Sequence, residues 1–224
     1  MGKSKDLATG NSAAYVETAG DTMTGVLTAN NDIIANKHLR LYTTDDQANQ
    51  WYMYNNTDDT LRFNYNGAGN DEVVLDTSGR MTIPNQPAFY AYTTNDGQSS
   101  DTYLTSSSSS TNWAEAFDNG SNFSDGVFTA PVAGKYYFSV MWNRRDVQSR
   151  IAIRKNNSNY IRWEPTGRTD DTWESQQYSV LINLAVNDYV NLYLQYTGSS
   201  NASINYPAHM GSGAWGHFAG YLIG

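Results

Sequence analysis

No cysteine occurs among the 224 residues, which excludes a disulfide-stapled secreted scaffold and any thiolate metal site. Histidine is nearly absent: His38, His209 and His217 are the only three, a poor basis for a His-rich metal centre. Charge is thin as well. Charged residues make up 16% of the chain, against about 25% in ordinary soluble domains. With 22 acidic and 14 basic residues the formal net charge is −8, which argues against nucleic-acid binding driven by bulk charge. Long apolar runs are missing too. The longest, Val180 to Val186, is far too short to cross a bilayer, so no membrane insertion is expected. The opening MGKSKDLATG lacks the apolar core of a signal peptide, and Asp6 stands where a myristoylation signal needs Ser or Thr. The expected product is soluble and assembles in the cytoplasm that made it.

Helical periodicity is the last absence: no stretch repeats apolar residues at i, i+3, i+4 and i+7 over several turns. What fills the chain instead is uncharged polar and aromatic residues, with 17 Tyr, 6 Trp and 18 Gly. So many aromatics are incompatible with a disordered chain. Period-two alternation is common. Ile151 and Ile153 share a face, as do Tyr178, Val180, Ile182 and Leu184, and again Val190, Leu192, Leu194 and Tyr196. Each run reads as a half-buried antiparallel strand. The chain is expected to be all-β.

It divides near Pro84-Asn-Gln-Pro87. Before this point the strands are short and carry two or three apolar residues each: Leu39 and Leu41, Trp51 and Met53, then Leu61, Phe63 and Tyr65. Asp76-Thr-Ser-Gly79 reads as a turn between Val73–Leu75 and Met81–Ile83. Such a segment is too thin to close a core alone and is expected to gain one from copies of itself. After Pro87 the strand signals are denser, at 88–93, 113–118, 122–130, 135–143, 149–155, 158–163, 175–184, 188–196 and 215–224, which suggests a β-sandwich or jelly roll.

Phe128-Thr-Ala-Pro-Val-Ala-Gly134-Lys-Tyr136-Tyr-Phe138 resembles the signature of the complement C1q globular-head family, which shares its jelly roll with tumour necrosis factor. Leu184-Ala-Val-Asn-Asp188-Tyr-Val190 resembles the family's turn before a long strand, and Phe218-Ala-Gly220-Tyr-Leu-Ile223 its closing strand. One departure stands out: an aromatic is expected seven positions before Phe128, where Ser121 sits with Phe123 nearby. The first half differs. Gly20-Asp-Thr-Met-Thr-Gly25 is similar to a segment common in bacteriophage tail fibre proteins, and Val74 to Pro84 resembles the stretch that precedes such a head in phage fibres. Together these pieces imply a docking segment at 1–20, a short intertwined β-rich trimeric shaft at 21–87 and a C1q-like jelly-roll head at 88–224. They also imply a homotrimer.

In that fold the shaft enters at one pole. The Pro131–Gly134 and Asn187–Asp188 turns are then basal, with 122–130 as the strand that returns to the base. Segments 94–112, 143–149, 164–174 and 197–214 fall at the distal tip, where function tends to reside. Seven of the 14 basic residues lie between 144 and 168, a concentration suited to anionic sugars or phosphates. The expected receptor or glycan site comprises Arg144, Arg145, Asp146, Trp163, Arg168, Asp170, Trp173 and Tyr206. The plainer alternatives stay open: Arg150, Arg154 and Lys155 as a solvated strand face, and Trp142, Trp163 and Trp215 as core or interface residues. Asp170 and Asp171 are weak candidates for Ca²⁺, though adjacent Asp in a polar loop usually only form turns. No cofactor is otherwise expected.

No nucleophile elbow, phosphate loop or zinc motif occurs, so the chain is not expected to be an enzyme. The leading expectation is a virion protein, a trimeric phage fibre or fibre tip. It would bind another tail or capsid protein through its N-terminus and a host surface glycan through its head. The alternatives are a complement-like lectin or ligand of cellular origin, or a virion decoration that binds no receptor.

Overall fold

In the computed structural model, residues 38–43, 46–66, 71–93, 102–105, 112–144, 149–163, 174–196 and 216–224 are described, and among them all regular structure is β-strand. The first five strands are β1 (His38–Thr43), β2 (Asp46–Asn55), β3 (Leu61–Tyr65), β4 (Val73–Leu75) and β5 (Met81–Thr82). They form one antiparallel sheet in the order β1-β2-β3-β4-β5. Consecutive strands of the one chain pair with each other, so pairing within this sheet needs no second chain. The Asp76–Gly79 turn closes as expected, with the Gly79 N–H donating to the Asp76 carbonyl at 2.9 Å and Gly79 at φ +77°. The Asp76 carboxylate accepts from the N–H groups of Ser78 and Arg80.

Register divides this sheet into two unlike faces. One holds the row Leu39–Met53–Phe63–Val73 beside Leu41–Trp51–Tyr65 and Leu61–Leu75–Met81. The other is polar and internally bonded. Tyr54 Oη donates to Asp71 Oδ1 at 2.7 Å and Arg62 Nη1 to Asp71 Oδ2 at 2.6 Å. Burial pushes the Asp71 pKa up, but these bonds outweigh it and hold the carboxyl below its ordinary range.

The remaining strands are β6 (Ala88–Thr93), β7 (Thr102–Tyr103), β8 (Trp113–Asn119), β9 (Phe123–Ser124), β10 (Val127–Thr129), β11 (Gly134–Arg144), β12 (Ser149–Lys155), β13 (Ser158–Trp163), β14 (Glu174–Leu184), β15 (Tyr189–Tyr196) and β16 (His217–Leu222). They build two sheets, β14-β11-β16-β6-β8 and β13-β12-β15-β10-β9, with β7 added along β15. Alternate residues of each sheet meet in one core containing Phe89, Phe128, Tyr136, Phe138, Trp142, Ile151, Ile153, Leu192 and Phe218, all essentially free of solvent. Each such side chain contributes roughly 1.5–3 kcal/mol of burial. This is the expected jelly-roll sandwich.

The motif residues now have physical roles. Phe128 packs against Tyr136 and Phe138 at 5.4 and 5.6 Å. The Tyr136 hydroxyl donates to the Val132 carbonyl at 2.8 Å, bracing the turn that begins at Pro131. Gly220 is required by contact, since a Cβ there would lie 2.6 Å from the Phe138 ring and 2.8 Å from that of Phe89. The departure at Ser121 is resolved locally. Gly120 and Ser121 turn with φ of +88° and +54°, and the aromatic place goes to Phe123, stacked on Phe89 at 4.6 Å.

Two expectations are corrected. Segment 122–130 is not one strand: Asp125 and Gly126 form a turn with positive φ, which splits it into the β9–β10 hairpin. Gly126 is needed there, because an added Cβ would meet the Leu104 carbonyl at 2.2 Å. The strand that returns beside β6 is therefore β8. Segment 94–112 is not wholly a tip loop either. Thr102–Tyr103 pairs with β15, and Leu104 is buried in the core.

Candidate functional site

Strand directions fix the two poles. β6 leaves Pro87, whose carbonyl accepts from the Leu222 N–H at 3.0 Å, and runs to Thr93. β8 and β16 run against it, and β11 runs with it. One pole therefore gathers Pro87, the 120–122 turn, the 131–134 turn, Asn156–Asn157 and the 185–188 turn. At this base the Ala130 N–H donates to the Asp188 carbonyl and the Asn187 N–H to the Ala130 carbonyl, both at 2.8 Å, so two turns tie each other down. The Asp188 carboxylate is held by Lys155 Nζ at 2.7 Å, by Asn156 Nδ2 at 2.7 Å and by the Ala185 N–H. These bonds, that from Lys155 foremost, lower its pKa to about 2.

The opposite pole holds the ends Thr93, Trp113, Arg144, Ser149, Trp163, Glu174, Tyr196 and His217. Of the expected receptor residues, Arg144 ends β11 opposite Glu174. Trp163 ends β13, stacked on Tyr178 at 4.6 Å and packed against the core. The ring thus has a core-packing role, one of the alternatives left open above. Arg145, Asp146, Arg168, Asp170, Asp171, Trp173 and Tyr206 lie outside the described residues. Among the described residues no group of three or more His, Asp or Glu could hold a metal, and no helix is long and apolar enough to cross a membrane.

The alternation reading missed a basic and aromatic cluster on the outer face of the β13-β12-β15-β10-β9 sheet. The Arg154 guanidinium lies 3.8 Å from the Tyr193 ring centroid and 5.1 Å from that of Tyr103. Its Nη1 donates to the Tyr103 hydroxyl at 2.6 Å and its Nε to Asn159 Oδ1 at 2.7 Å. Arg162 Nη1 reaches Gln195 Oε1 nearby at 3.2 Å. The three residues around the guanidinium are far apart in sequence. The pairing of β15 with both β12 and β7 brings the two tyrosines to Arg154, and the β12–β13 pairing brings Asn159.

The outer face of the other sheet carries rings among small polar residues. Tyr137 meets Tyr221 at 5.3 Å, and Tyr90 lies between Phe117 at 6.3 Å and His217 at 5.2 Å. Leu181 and Phe117 are 57% and 50% exposed. His217 Nε2 sits 3.1 Å from Ser139 Oγ, and burial lowers the imidazole pKa, favouring its neutral form. The outer face bearing Arg154 thus centres on a guanidinium between rings, while that of the other sheet carries more exposed apolar surface, in Phe117, Leu181 and Tyr221. Exposed aromatic faces of this kind mark association surfaces.

A family model described as the C1q domain matches residues 88–223. Among solved structures, the globular domain of zebrafish complement 1qA is 16% identical, over 62% of this chain and 98% of that one, with a TM-score of 0.45. Murine APRIL at pH 5.0 is 10% identical, over 62% and 99%, with a TM-score of 0.47. No curated protein matches the chain. With the signature residues seated in a jelly-roll core and the family model spanning most of the sequence, the chain belongs to the C1q domain family.

Proposed function

We propose that this chain is a homotrimeric virion protein, a phage tail fibre or fibre tip, whose head attaches to a host-surface glycan. The observation that carries the trimer is the aromatic outer face of the β14-β11-β16-β6-β8 sheet, where Phe117, Leu181 and Tyr221 stand half exposed. C1q-type domains form homotrimers, and such a face needs a partner. The GDTMTG segment at 20–25, similar to phage fibre proteins, supports the virion role. Residues 1–20 would dock to another virion component. The segments between the far-pole strand ends would meet the receptor, with Arg144, Arg145 and Trp173 among the contacts. Ca²⁺ at Asp170 and Asp171 belongs to the same proposal.

Family membership fits a complement-like lectin or ligand of cellular origin equally well, and the fibre-like first half is what favours the virion. Two measurements separate the readings. Light scattering should give three times the chain mass of 24.9 kDa; a monomer at micromolar concentration would sink the trimer. The purified protein should bind whole host cells, and Arg144→Ala combined with Arg145→Ala should weaken that binding in a salt-sensitive way. Adsorption unmoved by the double change would remove the basic tip from the proposal.

A further inference from the structure

Among the described residues, the sheet of β1–β5 packs against no second sheet. Its apolar face carries Leu39, Leu41, Trp51, Phe63 and Met81, with Leu41 59%, Trp51 44% and Met81 65% exposed. Apart from the bulged Thr43–Asp46 pair at one end, its register rows carry no charged residue. The opposite face is already satisfied, by the Tyr54–Asp71–Arg62 bonds and by Arg40 over the Tyr52 ring. Among the described residues, the apolar face is therefore the one left uncovered.

We infer that this sheet is one wall of a three-sided prism, and that two further copies of the chain supply the other walls with their apolar faces turned to a shared axis. The inference rests on the trimer proposed above and specifies how the first half joins it: by packing faces rather than by intertwining strands. Geometry favours three walls. Five strands span four gaps of about 4.8 Å, roughly 19 Å. A triangle with that side has its walls about 5.5 Å from the axis, close to half the ~10 Å separation of packed sheets. Side chains from three such walls fill the interior without leaving a channel. The head lies close along the chain, with β5 ending at Thr82 and β6 starting at Ala88, so a trimeric head delivers three copies of this sheet to one place.

Val73 and Val74 are adjacent on β4 and point to opposite faces. The protein has no cysteine, so Val73→Cys and Val74→Cys in the full chain each introduce one thiol by the same change. A short bismaleimide followed by a denaturing gel reads the outcome. Val73→Cys should give covalent dimers of the chain at least tenfold more efficiently than Val74→Cys. Equal cross-linking in a particle that light scattering shows to be trimeric would overturn the prism and leave the trimer standing. A Val73→Cys thiol that resists even a monofunctional maleimide and forms no cross-link would also overturn it, pointing to residues 1–37 of the same chain as the cover. A monomeric particle would overturn both the prism and the reading on which it rests.

Discussion

The head and the sheet before it are built from the same kind of strand, yet they satisfy their apolar residues differently. In the head, two sheets close on each other and Phe89, Phe128, Phe138 and Phe218 are 0–1% exposed. In the 38–82 sheet a single layer leaves its ring and aliphatic side chains open. The contrast teaches that alternation predicts which side of a strand is apolar but not what covers it. A head of this kind has a core within one chain. On the proposed prism the single-layer sheet acquires one by association, so its stability should depend on concentration and that of the head core much less.

Phe138→Ala should produce the largest effect. It removes a ring that touches Phe89, Phe128, Tyr136 and Phe218, at a cost of about 3–5 kcal/mol. Denaturant unfolding should show the head transition moved to much lower midpoint; an unchanged midpoint would mean that the core is not where the head's stability lies. Trp51→Asp comes next. A carboxylate on a face that association covers is expensive to desolvate, so this variant should lose the first-half transition at concentrations where the wild-type chain keeps it. If it behaves as wild type, the contrast between the two regions collapses.

Acid titration sharpens the comparison within the head. The folded Asp188 pKa of about 2 lies below the ordinary value of 3.8. Its contribution is therefore complete above the ordinary value and is lost as pH falls through about 2. Asp188→Asn should flatten the loss of head stability between about pH 4 and 2, while leaving the first half unaltered. The smallest effect belongs to Arg154→Lys. Loss of the planar stack on Tyr193 and Tyr103 should cost about 0.5–1 kcal/mol, visible as a small midpoint shift.

Much of the head was readable in the residues. Ile151, Ile153, Ile182, Leu184, Val190, Leu192 and Leu194 all point inward, as period two requires. The turns at Asp76–Gly79 and Asn187–Asp188 follow from side chains that cap their own backbone or tolerate positive φ. Other features were not readable. The split of 122–130 depends on the close approach of Gly126 to Leu104 and Trp113, a contact between distant segments. The two-residue strand β7 is too short to carry a period. Trp163 looked available for a ligand, but its ring packs flat on Tyr178, a neighbour only in space. Of the expected receptor site, the described residues place only Arg144 and Trp163.

The sequence by itself determined the all-β class, the inward residues of most head strands, the basal turns and the absence of thiol chemistry, because each is set by neighbours along the chain. Tertiary structure alone decided which strands became partners. It set Arg154 between two tyrosines, put rings on the outer face of one sheet, and gathered Leu39, Leu41, Trp51, Met53 and Phe63 of the first sheet on the same side. Those outcomes depend on register between segments far apart in sequence, and a one-residue slip in any pairing would send each side chain to the opposite face.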